Sequence, residues 1–142
     1  MRILPFFIAA VIVGCSSSKP TTATGEKKLY EVLTQQEFGG GNIRFFEIVS
    51  DEKEINMLLN DEYLAGKISR ADIKTSNFVI LNMGEKRSGG YAIGVDRVEE
   101  TPENIIVYVK ETGPGPEEMV TTVISYPYAV VKINSKKPII IE

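Results

Sequence analysis

Between Phe78 and Ile133 short apolar runs are broken repeatedly by glycine, proline and asparagine. Runs of roughly four to eight residues between turn signals build strands, because a helix needs a longer uninterrupted stretch to bury one face. Phe78 to Met83 reads as a buried strand, followed by a loop over 84–90. Tyr91, Ile93 and Val95 then alternate with smaller or polar residues, and Thr101-Pro102-Glu103-Asn104 is a turn. Ile105, Val107 and Val109 share one face of the next strand, which runs into the rigid loop Thr112-Gly113-Pro114-Gly115-Pro116. Met119 to Tyr126 and Tyr128 to Ile133 read as two further strands parted by Pro127, and Pro138 to Ile141 as a short edge strand.

The preceding stretch adds two β-like runs and a helix. Lys27 to Thr34 and Ile43 to Val49 flank Gly39-Gly40-Gly41-Asn42, a pattern that predicts a hairpin with a glycine loop. Asp51 and Glu54 have capping-box spacing, and Ile55, Leu58 and Leu59 follow at i, i+3 and i+4. The predicted helix ends near residues 63–66, where Gly66 can take the left-handed conformation that closes many helices. Residues 67–77 are polar and predict no strong element. The expectation is a single α+β domain over 27–142: a largely antiparallel β-sandwich or partial barrel with one helix in its N-terminal half.

Ahead of that domain the chain reads as an export signal. Arg2 is followed by an uncharged apolar run, Ile3 to Val13, and then by Ile12-Val13-Gly14-Cys15, which resembles a lipobox. The run is about half the ~20 residues that a membrane-spanning helix needs, and Pro5 and the serine-rich exit disfavour a core helix. A plain secretory signal with another cut site is the remaining alternative. Residues 1–14 are therefore expected to be removed, with Cys15, the only cysteine, acylated and residues 15–26 serving as a flexible tether. Two acyl chains suffice for stable anchoring. The expected location is the bacterial cell envelope, extracytoplasmic and lipid-anchored, at the outer membrane in a diderm cell.

Composition narrows the chemistry. The chain has no histidine, and its one thiol is spoken for, which excludes Ser-His-Asp and Cys-His mechanisms and the usual zinc sites. Asp51-Glu52-Lys53-Glu54 lacks calcium-loop spacing. Glu99-Glu100 and Glu117-Glu118 are sequence neighbours at strand ends and point to opposite faces, so neither pair can flank one scissile bond. Phosphate-cradling and nucleophile-elbow motifs are missing. A net charge of −3 offers no footprint for nucleic acid. The expectation is a non-enzyme with no cofactor and no metal.

Three features remain. Ser88-Gly89-Gly90-Tyr91 sets two glycines directly before a strand, and Gly113-Pro114-Gly115-Pro116 is stiff and poor in donors. In an up-and-down meander the loops 84–90 and 112–118 would share one rim, and two stiff loops lose little entropy on docking. Each is equally what an ordinary hairpin looks like. Tyr126-Pro127-Tyr128 places two amphipathic rings around a residue that cannot donate to a ladder, as interface anchors or as core-edge residues.

These residues carry a resemblance. Phe78 to Leu81, Ser88-Gly89-Gly90-Tyr91, Val107-Tyr108-Val109-Lys110-Glu111-Thr112, Pro114-Gly115 and Tyr126-Pro127-Tyr128-Ala129-Val130-Val131-Lys132 resemble, in order and spacing, the PrcB C-terminal domain family, over 77–133. That family is named after an accessory subunit of a bacterial cell-surface protease complex and has no established catalytic residues to transfer. The resemblance implies a non-catalytic binding or accessory module whose partner is a protein, a protease among the candidates. Two alternatives stand beside it: a protease inhibitor using loops 84–90 and 112–118, and a structural envelope lipoprotein.

Overall fold

The computed structural model describes residues 27–142. The predicted signal segment, Cys15 and the tether up to residue 26 lie outside the described residues. Among the described residues there are seven strands: β1 (Tyr30–Gln36), β2 (Phe45–Val49), β3 (Asn77–Asn82), β4 (Ala92–Glu100), β5 (Ile105–Thr112), β6 (Tyr128–Ile133) and β7 (Ile139–Ile141). Between β2 and β3 lie a short helix, α1 (Ile55–Leu59), and two 3-10 helices, Glu62–Leu64 and Arg70–Lys74.

The strands form two sheets that make an α+β sandwich. One is antiparallel in the order β1-β6-β3-β2. The other has the order β4-β5-β7, with β7 parallel to β5. Alternation along β3 and β6 explains the layering, because successive side chains leave a strand on opposite faces. Phe78, Ile80, Tyr128 and Val130 face the helices and pack with Ile55, Leu58, Leu64 and Ile73. Val79, Leu81, Ala129, Val131 and Ile133 face the second sheet and meet Ile93, Ile105 and Val107. All six residues of β3 are buried, so the larger sheet is the middle layer between helices and sheet. Lys132 falls on the helix face, where its ammonium meets Asp72 of the 3-10 helix Arg70–Lys74 at 2.8 Å.

Local chemistry sets the helical segment. Asp51 Oδ1 accepts from the N–H groups of Lys53 and Glu54, while Glu54 Oε2 accepts from Ser50 N. The predicted capping box is thus not the cap of α1: these bonds close the turn ahead of the helix, whose N-cap is Glu54 with no side-chain cap. Helix α1 stops at Leu59 because Asp61 starts a new turn, its Oδ1 accepting from Tyr63 N at 2.8 Å. Gly66 has φ of +76°.

Several expectations are corrected. Strands β1 and β2 do not form a hairpin: β1 pairs with β6 and β2 with β3, since each finds an apolar neighbour in the middle of the sheet. Residues 119–126 do not form a strand. Only Ser125 bridges, to Lys86, because the segment crosses from one sheet to the other along their rim. Residues 67–77 do contain an element, the 3-10 helix held by a Ser69–Asp72 capping box and buried through Ile73.

Candidate functional site

The connections β3–β4 and β5–β6 both cross between the sheets, so the meander expected from sequence is absent. The two segments nevertheless lie side by side. Lys86 and Ser125 exchange backbone hydrogen bonds at 2.9 Å, and Gly89 N donates to Thr121 O at 3.1 Å. Ser125 Oγ donates to Ser88 O at 2.7 Å. A third segment, 37–44, laces both. Glu37 Oε1 accepts from Gly90 N, Glu37 O accepts from Tyr126 N, and Tyr126 O accepts from Gly40 N. Asn82, at the end of β3 and almost fully buried, clamps this segment: its Oδ1 accepts from Gly41 N and its Nδ2 donates to Gly41 O and Ile43 O.

The glycines singled out from sequence serve this lacing. Gly90 has φ of +87°, and a Cβ there would lie 3.3 Å from Pro114 Cβ. At Gly89 an added Cβ would meet Thr121 Oγ1 at 2.5 Å and Glu37 Oε1 at 2.8 Å. At Gly113 it would meet the Tyr91 ring at 2.8 Å. Substitutions at Gly89 therefore disturb packing and do not isolate a partner contact. Gly115 and Pro116 stand apart in a turn of their own, closed by Glu118 Oε2 accepting from Gly115 N.

The tyrosines part company. Tyr126 lies in the lace, its hydroxyl 3.4 Å from Glu85, and Pro127 O accepts from Met83 N. Tyr128 points away, buried on the helix face with its ring edge-on to Tyr63. Burial, then the adjacent Asp61 carboxylate, pushes the Tyr128 phenol up to about 12.

Four apolar residues of the rim are exposed to solvent, among exposed Glu117, Glu118, Thr121 and Thr122. Met119 is fully exposed, Val123 is 55% and Ile124 47% exposed, and Val120 is 41% exposed. Phe38 and Ile43 are exposed on the neighbouring segment. Sequence reading missed this patch, because alternation predicts a strand whether or not a neighbouring strand exists to cover it. It also missed Glu37 and Asn82, whose only signal is a polar residue at the edge of an apolar run. The Glu99-Glu100 pair is surface charge, Glu99 holding Arg97 at 2.9 Å and Glu100 holding Lys137 at 2.8 Å. The hydrogen bond from Arg97 holds the Glu99 carboxyl below the usual range.

Residues 77–134 match the family described as PrcB C-terminal. No curated protein and no solved structure matches the chain. The matched range opens with β3 and closes one residue past β6, so it contains two strands of each sheet and two of the three crossing connections. The segment similar to the PrcB C-terminal family, residues 77–134, is completed by β1, β2, β7 and the helices into a larger sandwich.

Proposed function

We propose that this protein is a non-catalytic docking module of a protease-associated assembly, lipid-anchored in the cell envelope through Cys15, with the laced rim as its contact surface. One observation carries the reading: Met119, Val120, Val123 and Ile124 form an exposed apolar strip on the connection between β5 and β6. Four large apolar side chains exposed within six residues are costly to leave in water, and such exposure marks interaction sites. The segment beneath is already held by three backbone contacts and by Glu37, so little freedom is lost on docking. The family match supports a protein partner belonging to a protease complex.

The test uses the full-length protein in detergent, tagged and added to envelope extract. Wild type is expected to enrich an envelope protease, and Met119→Asp combined with Val123→Asp to lose it while melting as wild type does. Equal enrichment by both would refute the rim as the contact surface. An activity assay on the retained protease then separates an accessory subunit from an inhibitor. For the anchor, Cys15→Ala is expected to move the protein out of the membrane fraction; unchanged partitioning would refute lipidation there.

A further inference from the structure

On the helix side of the middle sheet, between the glycine segment and α1, lies a pocket of about 180 Å³. Leu58, Ile80 and Val130 give it an apolar lining, with Phe45 and Met57 exposed at its edge. It adjoins a wider depression that includes Glu62 and Tyr63, and the two share Gly39, Met57, Asp61 and Tyr128. The apolar part is close in size to a ~150 Å³ cavity that takes one benzene ring. It falls short of the roughly 300 Å³ at which small-molecule sites begin. One inserted side chain fits the apolar part.

Charge selects which side chain. Glu47 and Asp61 line the pocket and Glu62 lines the depression, and no lysine or arginine lines either among the described residues. None of the three carboxylates has an ion-pair partner among the described residues. Glu47 is the most informative. The register Phe45↔Asn82, Glu47↔Ile80, Val49↔Phe78 puts it on the same inward face as the fully buried Val49. A strand with one face against a core calls for an apolar residue there. Glu47 is only partly exposed as a residue and makes no side-chain hydrogen bond among the described residues, and such breaks of pattern concentrate at functional positions.

We infer that this pocket receives a lysine or arginine side chain from an extended segment of a protein partner. The aliphatic stem lies along Leu58, Ile80 and Val130, and the cationic head sits among Glu47, Asp61 and Glu62. Long basic side chains have this division between apolar body and charged tip. The site is on the helix side; it shares the glycine segment and Asn82 with the lace but uses none of the four apolar strip residues.

The probe is acetyl-Ala-Lys-Ala-amide, titrated into ¹⁵N-labelled full-length protein in detergent micelles, with norleucine and glutamate peptides as controls. The lysine peptide is expected to give saturable shifts at the amides of Gly39, Gly40, Asp61 and Tyr63, weakened by added salt. The norleucine peptide should bind about tenfold more weakly, as should the lysine peptide to Glu47→Gln, a loss in the range for one charge-assisted contact. The glutamate peptide should leave the pocket amides unmoved. Glu62→Gln, at an exposed position, provides a second variant if Glu47→Gln unfolds. Norleucine binding as tight as lysine, shifts elsewhere, no saturation, or unchanged affinity in the folded variants would overturn the inference. Loss of the rim-dependent protease capture alone would leave it standing.

Discussion

Replacing Gly40 by alanine tests the clamp that fixes the rim. On the present backbone the new methyl falls inside contact distance of Asn82 Oδ1, 2.7 Å from Tyr126 O and 3.2 Å from Tyr128 Cβ. Tyr126 O cannot retreat freely, because it accepts from Gly40 N itself at 3.0 Å. Asn82 cannot swing aside without breaking three hydrogen bonds, two to Gly41 and one to Ile43. Each such bond contributes about 1 kcal/mol net, and overpacking costs about 1–3 kcal/mol. Partial relaxation leaves an expected loss of about 3 kcal/mol. For a fold of this size that lowers the melting temperature by about 12 °C. Asn82→Ala should cost about 3 kcal/mol on the same count of bonds. It also removes the atom that the methyl of the Gly40→Ala variant strikes, so the second substitution becomes cheaper. The double variant should be about 2 kcal/mol more stable than the sum of the singles implies, a coupling typical of residues in contact. Urea and thermal unfolding of the four proteins measure this directly. A Gly40→Ala protein that melts within about 2 °C of wild type, or an additive cycle, would refute the reasoning.

Gly66 and Gly84 separate backbone strain from collision. Both have positive φ, but a Cβ at Gly66 meets nothing within 4 Å whereas at Gly84 it meets Arg44 N at 2.9 Å. Gly66→Ala should therefore cost about 1 kcal/mol and Gly84→Ala at least about twice that, by urea unfolding; equal costs would contradict the placement of Gly84. Burial opposes the charge on Asp72, but hydrogen bonds from Lys132 and Ser69 outweigh it and hold the carboxyl below the usual range. Its stabilisation is thus present above about pH 4, the unfolded value, and lost as pH falls through the lower folded value. Lys132→Met should flatten that acid limb of the stability profile, and an unchanged limb would count against the pair. Tyr128 has the opposite sign: its folded value, about 12, exceeds that of a free tyrosine, so its contribution is complete below about pH 10 and lost between there and about 12. Tyrosinate absorbance should show one phenol titrating late, and Tyr128→Phe should remove it.

Fold class was legible because burial in this protein follows period. Phe78 to Met83 has to be an inner strand, and Ile105 and Val107 have to share a face, whatever their neighbours. Pairing was not legible, because it depends on residues far apart. Strand β1 takes Tyr128–Ile133 as its partner, and nothing in the glycine segment after β1 announces that the next strand will not fold back on it. The segment 119–126 has the β-branched alternation of a strand and none of its hydrogen-bonded neighbours, so propensity was overridden by position. At the rim, the juxtaposition of 84–90 with 112–118 was expected on the wrong topology: crossing connections bring the 84–90 loop against residues 121–126 where hairpins do not. Ser69 and Asp72 were readable as a capping box in a stretch taken to be featureless. Asn82 and Glu47 carry no local signal, since only the register reveals that one clamps a loop and the other faces inward.

The strand order β1-β6-β3-β2 has a consequence for how the chain must be made. Strand β6 sits between β1 and β3 and hydrogen-bonds to both, yet it is the last of the four to be synthesised, with Tyr30 opposite Ile133. A nascent chain ending before Tyr128 holds β1 with no neighbour in this sheet and leaves one edge of the inner strand β3 open. Such a chain has no stable stopping point, because its closing contacts span nearly the whole described sequence, and topologies of that kind fold slowly. On the proposed envelope location, export meets an unfolded polypeptide for as long as residues 128–133 remain undelivered. The wiring of one sheet would then keep folding on the far side of the membrane.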